Sequence, residues 1–139
     1  MSTYPQVKDK ELVGTYSALV NSGGGYVWDD VLEYRVWCSP LEGAPDTEEG
    51  DDYYYTFDNY EEALKYSEEN VGSDKPIALI LQEEYISENS PGKYVHVKEQ
   101  RLTEWPVEFL SRPRRTINTI SNFFSADAPS NRLDILRGL

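Results

Sequence analysis

One cysteine, one histidine and one methionine occur in 139 residues. With Cys38 as the only thiol, no intramolecular disulfide can form. One His and one Cys supply too few nitrogen and sulfur ligands for a zinc site of the usual kind, and no metal is expected. No run approaches the ~18 consecutive apolar residues of a membrane span. The opening MSTYPQVKDKEL lacks the apolar stretch of a signal peptide. With the lone thiol, this predicts a reduced, cytoplasmic setting. Phosphate-binding sequences of the G-x-G-x-x-G or Walker type are missing, so no nucleotide cradle is expected. Gly23-Gly24-Gly25 runs into the strand-like Tyr26-Val27-Trp28 and reads as a turn.

Basic residues are scarce as well. Thirteen stand against 25 acids, for a net charge of −12 and a pI near 4.4. Direct nucleic-acid binding is not expected, because phosphate contact rests on cationic side chains that release counterions. The imbalance is uneven. Residues 1–99 hold 21 acids and 7 bases, whereas residues 100–139 hold 4 acids and 6 bases. Contact with an anion is therefore expected near Arg112, Arg114 and Arg115.

What remains is enough for one packed core. Apolar residues make up 39% of the chain, sufficient for a single domain of this length. Residues 9–20 carry apolar side chains at helical spacing, with a strand over 15–20 as the rival. A strand is predicted over 26–38, with Leu32, Tyr34, Val36 and Cys38 on one face and Glu33, Arg35 and Trp37 on the other. Residues 39–51 form an acidic loop, and 52–57 (DYYYTF) a short strand. A helix over 59–70 is signalled by Asp58 as cap, Glu61 three residues on, and Gly72 as stop. Strands over 77–86 and 94–103 flank the turn Asn89-Ser90-Pro91-Gly92 and predict an antiparallel hairpin. In its second strand Val95 and Val97 point inward, and Tyr94, His96 and Lys98 outward. A short helix at 106–111 and weak helical pieces around Ile120, Phe123 and Leu136 complete the pattern.

The order predicts an α+β fold: a four-stranded, largely antiparallel sheet, one main helix across a face, and a helical C-terminal tail. Residues 1–111 read as a single domain and 112–139 as an extension. The tail cannot bury its apolar side chains against itself and must dock on the body, another subunit or a partner.

Catalytic groupings are thin. Cys38 and His96 form the only possible thiol–imidazole dyad, but they sit on opposite kinds of face. Asp29 and Asp30, adjacent in a strand-like stretch, point to opposite sides and make a poor acid/base couple. The acidic loop from Asp46 to Asp52 fails the spacing of a calcium-binding loop, with Gly50 and Phe57 where oxygen ligands should stand. The aromatic load is the least ordinary feature: eleven Tyr and three Trp, many beside acids. Amphipathic aromatics anchor interfaces, and an acidic rim around them favours a cationic ligand. The interaction candidates are Trp28, Tyr53, Tyr55, Tyr85 and Tyr94, with Arg112, Arg114, Arg115, Phe123 and Phe124 from the tail.

Five stretches carry a resemblance: Pro5–Asp9 through Gly23–Tyr26, Leu32–Cys38, Asp52–Tyr55, Glu83–Ile86 and Thr103–Pro106. Over residues 3–115 the chain resembles a small bacterial family whose members are identified as GNAT-type N-acetyltransferases. The resemblance implies acetyl-CoA as a cofactor and a fold of about six or seven strands around a central helix. Acetyltransferases of that kind hold the pyrophosphate with Gln/Arg-x-x-Gly-x-Gly/Ala at a helix N-terminus. Here no Gln or Arg has Gly three residues later: Gln6 meets Asp9, Arg35 meets Cys38, Gln82 meets Tyr85 and Arg112 meets Arg115. No catalytic residue carries over. The primary expectation is a small acidic protein-interaction or regulatory module without catalysis or cofactor, acting on another protein or on itself. The alternatives are an acyltransferase holding acetyl-CoA phosphates through the three tail arginines, and an acidic mimic of nucleic acid.

Overall fold

The computed structural model describes residues 4–139. The fold is α+β. A five-stranded mixed sheet has the spatial order β1 (Asn21–Ser22), β7 (Arg101–Pro106), β4 (Ile77–Gln82), β2 (Asp30–Cys38) and β3 (Tyr53–Phe57). A separate two-stranded ribbon pairs β5 (Tyr85–Ser90) with β6 (Lys93–Val97). The expected four-stranded sheet is thus corrected. Each arm of the predicted hairpin is broken in two, so that β4 pairs β7 and β5 pairs β6, both antiparallel. At the break the Glu83 N–H donates to the Asp29 carboxylate at 2.8 Å instead of to a strand neighbour. Among the described residues the one parallel pairing joins β1 to β7, just before the glycine turn.

Helix α1 (Tyr60–Glu69) lies on the face formed by Tyr34, Val36, Ala78, Ile80 and Trp105, with Ala63 buried against them. Its cap is Asn59, whose side chain accepts from the Glu62 N–H at 2.9 Å. The capping signal is therefore one residue later than Asp58. Asp58 instead accepts a hydrogen bond from the Asn59 side-chain amide. A bulge between Val31 and Glu33 throws Leu32 onto the opposite face, where it packs with Leu79 and Leu81.

That second face is buried too. Residues 9–20 form neither a long helix nor a strand. After a 3-10 turn at Lys10–Leu12 they run as an irregular strap, with Tyr16 and Val20 packing on Leu32, Leu79 and Leu81. Beneath the strap, Arg35 is fully buried and paired through Nε with Glu33 at 2.7 Å. Its Nη1 meets Glu104 at 3.0 Å, and its Nη2 donates to the Ser17 carbonyl at 2.6 Å. Burial acts to lower the Arg35 pKa, but the hydrogen bonds to Glu33 and Glu104 outweigh it, and the pKa is raised. Gly14 N–H and Trp37 Nε1 complete the network by donating to Glu33 and Glu104.

Gly23-Gly24-Gly25 crosses the α1 side of the sheet with positive φ at every residue. The Gly24 carbonyl accepts from Trp105 Nε1 and Gln82 Nε2. A Cβ on Gly25 would overlap the Gln82 amide and lie 2.8 Å from Arg101 Nη2. The triple glycine is therefore a point of close approach between backbone and sheet.

The tail docks on the body. Helices α2 (Thr119–Phe123) and α3 (Arg132–Leu136) bury Ile120, Phe123 and Leu136 against Val27 and Ile86. Tyr26, Tyr85 and Tyr94 border this second core. The expected faces of this strand are consequently exchanged at three positions, while Val97 stays half-buried and Lys98 exposed. Tyr94 packs edge-on to Phe123, and His96 is half-buried, whereas Val95 is exposed.

Candidate functional site

Of the three arginines expected to meet an external anion, Arg114 and Arg115 meet the chain's own carboxylates and Arg112 lies over aromatic rings. Residues Arg112–Arg115 run beside the β2 entry, held by the Arg115 N–H to Trp28 carbonyl bond and by Trp28 Nε1 to the Arg112 carbonyl, both 2.9 Å. The Arg115 guanidinium lies 2.8 Å from Asp29, 3.3 Å from Glu83 and 3.4 Å from Glu84. Its pKa is raised, first by the hydrogen bond to Asp29. Arg114 contacts Asp30 at 3.3 Å and covers the Trp28 ring at 4.6 Å. Arg112 covers the Phe109 ring at 3.8 Å, and burial followed by repulsion from Arg137 lowers its pKa. Arg132 lies over Phe123 and Tyr94, and Arg137 over Tyr26. The charge difference between the two parts of the sequence is thus spent largely within the molecule. Asp29 and Asp30 serve as anchors for this tail.

Several candidate residues are occupied in the same way. Trp28 is buried under Arg114. Tyr85 lies beneath Arg101 at 4.0 Å, and burial lowers the pKa of that arginine. Tyr94 and Phe123 belong to the second core. Phe124 is partly exposed and stacks on His96, with ring centroids 6.3 Å apart.

Cys38 and His96 are not brought together. Cys38 is buried level with Ser73, just before β4 begins, whereas His96 pairs with Ile86, past the end of β4. The length of β4 alone separates them by more than about 15 Å at ~3.3 Å per residue. His96 instead places Nε2 2.6 Å from Glu84, and the other oxygen of Glu84 faces Arg115. This chain of groups borders an open groove of about 620 Å³, flanked by Thr116, Ser121, Lys98 and Phe124. It orients the imidazole but presents no paired nucleophile.

Tyr53 and Tyr55 are placed differently. On β3 they share the α1 side of the sheet, edge-to-face at 5.8 Å, and Tyr55 continues to Tyr66 at 5.1 Å. Tyr55 is 46% exposed. Tyr54 points to the other side, against Trp37 at 4.7 Å. Burial raises the Tyr53 and Tyr66 pKa values, the second to about 12 with Cys38 and Tyr55 adding to it. The Tyr53 hydroxyl donates to the Pro45 carbonyl at 2.8 Å, which folds the acidic loop against the start of the strand. There Trp37, Tyr53 and Tyr54 join Glu48, Asp51 and Asp52 around a cleft of about 310 Å³. Trp37 and Tyr54 were not among the sequence candidates. Strand alternation gave Tyr54 a face, but the loop that closes the cleft from outside the strand carries no local signal of its position.

Among the described residues, no group of three or more His, Cys, Asp and Glu side chains is arranged to hold a metal ion. No helix among them is long and apolar enough to cross a membrane. No family model, curated protein or solved structure matches the chain.

Proposed function

We propose that this protein is an interaction module that binds another protein and has no catalytic centre of its own. The observation that carries the reading is the division of its aromatic and charged side chains. The tail arginines, Trp28, Tyr85, Tyr94 and Phe123 are engaged internally. The Tyr53–Tyr55 surface and its acidic loop stay exposed or half-buried at the margin of the sheet. Exposed tyrosine beside fixed charge suits a recognition surface, because the ring supplies contact area at small entropic cost.

The acyltransferase alternative would need the three tail arginines to leave carboxylates and aromatic faces to reach phosphates. That exchange costs the ion pairs that anchor the tail, so the arrangement favours the module.

The test is site-specific photo-crosslinking in the native cell, with p-benzoylphenylalanine replacing Tyr55 in one sample and Val95 in another. A discrete crosslinked protein from the Tyr55 position alone is expected. Crosslinks absent from both positions, together with saturable acetyl-CoA binding by calorimetry, would reverse the assignment.

A further inference from the structure

Strand β3 ends the five-stranded sheet, and among the described residues no other strand covers its outer side. Beyond its ladder with β2, no described residue makes a hydrogen bond to the β3 backbone. The opposite edge is blunted, since β1 has only two residues. Exposed edges are usually blocked by proline, lysine or a bulge. The β3 sequence Tyr-Tyr-Tyr-Thr-Phe has none of these, and its pairing to β2 keeps an unbroken register. The strand is therefore a free template for main-chain pairing.

The charge around it selects what can pair. Between residues 36 and 64 there are nine acids and no Lys or Arg. Two copies of this edge would bring like charges together, which opposes self-pairing. A positively charged segment is attracted by the same field. The cleft at the start of the strand has the chemistry for its side chain: Glu48, Asp51 and Asp52 as counter-charges, and Trp37 and Tyr54 as aromatic walls.

We infer that β3 accepts an extended, basic segment of another protein as an added strand, with a Lys or Arg of that segment seated in the Trp37–Tyr54 cleft. This inference rests on the interaction-module reading and names the partner's chemistry. Main-chain hydrogen bonds supply affinity in such an addition, and the side-chain cleft supplies selectivity.

The probe is a synthetic octapeptide alternating Lys and Val, compared with a Glu/Val peptide of the same length. Calorimetry on the full chain is combined with amide hydrogen exchange. The Lys/Val peptide is expected to bind, with alternate amides of Tyr53–Phe57 gaining protection, and the Glu/Val peptide is not. Raising ionic strength from about 0.05 to about 0.5 M should weaken binding roughly tenfold, because the attraction is between exposed charges. The variant Glu48→Gln/Asp51→Asn/Asp52→Asn, confined to exposed loop side chains, should lose a similar factor while keeping the native circular dichroism spectrum. Equal binding of both peptides, protection away from β3, no binding at millimolar Lys/Val peptide, or dimerisation through β3 would each overturn the inference. A Tyr55 crosslink retained alongside any of these results leaves the module reading standing and removes only the added strand. Loss of both removes the two together.

Discussion

Gly25 and Arg35 show how much can hang on single side chains that the local pattern does not single out. At Gly25 a Cβ would overlap the Gln82 amide, and the backbone is left-handed, with φ of +86°. Gly23 has the same handedness but open space around it. Gly25→Ala should destabilise the protein by about 3 kcal/mol, and Gly23→Ala by about 1 kcal/mol, since only the first adds a clash to the backbone strain. Urea unfolding of the two variants checks the difference. Equal midpoints would remove the close-approach role of Gly25. Arg35 is the counter-charge for a fully buried Glu33. Arg35→Ala leaves that carboxylate unpaired and should cost about 3–5 kcal/mol by the same measurement. The alternation around Glu33-Tyr34-Arg35 was legible in the sequence. The burial of both charged residues was not, because the strap that covers them lies some 18 positions away along the chain.

Local signals were sufficient for several elements. Strand β3, helix α1 and the turn at Pro91-Gly92 each follow from short-range chemistry: β-propensity, a side-chain cap, and turn residues. Strand faces were less secure. Leu32 changed side through a bulge, and Tyr94 turned inward because the tail supplies an apolar surface on what would otherwise be the solvent side. The docking of α2 gives a direct expectation. Phe123→Ala should cost about 3–5 kcal/mol and speed amide exchange in β5 and β6, whose Ile86 and Tyr94 lose a packed neighbour. Ile117→Ser, at a position 90% exposed, should shift stability by no more than about 0.5 kcal/mol. Unchanged exchange in the ribbon of the Phe123 variant would mean that the tail does not support it.

Tyrosine burial has a consequence for the protein as a unit. Burial raises the pKa of Tyr34 and Tyr66, the latter to about 12 from an ordinary value near 10. A raised tyrosine pKa means that the folded state holds its proton more tightly than the unfolded state does. The stability associated with Tyr66 is complete below pH 10 and is lost as pH rises from 10 through about 12, and that of the more strongly shifted Tyr34 continues to be lost beyond it. Unfolding free energy should therefore fall across that window, and tyrosinate absorbance should lag behind that of the urea-unfolded chain. A native titration coincident with the unfolded one would contradict the buried placement of these rings.

The amino-acid sequence sets the supply of groups: a surplus of acid, a basic final third, abundant tyrosine, a lone thiol and a lone imidazole. It also determined the elements whose signals lie within a few residues. Tertiary structure alone decided which groups meet. Arg115 reaches Asp29 from 86 positions away, and that contact, with its neighbours, turns the basic tail into an internal strut. The physical reason is range. Propensity, caps and turns act between near neighbours, whereas burial and ion pairing depend on chain closure over distances that no short pattern records. The same long-range folding uses up most of the aromatic and cationic side chains and leaves the β3 edge, with its acids, facing outward.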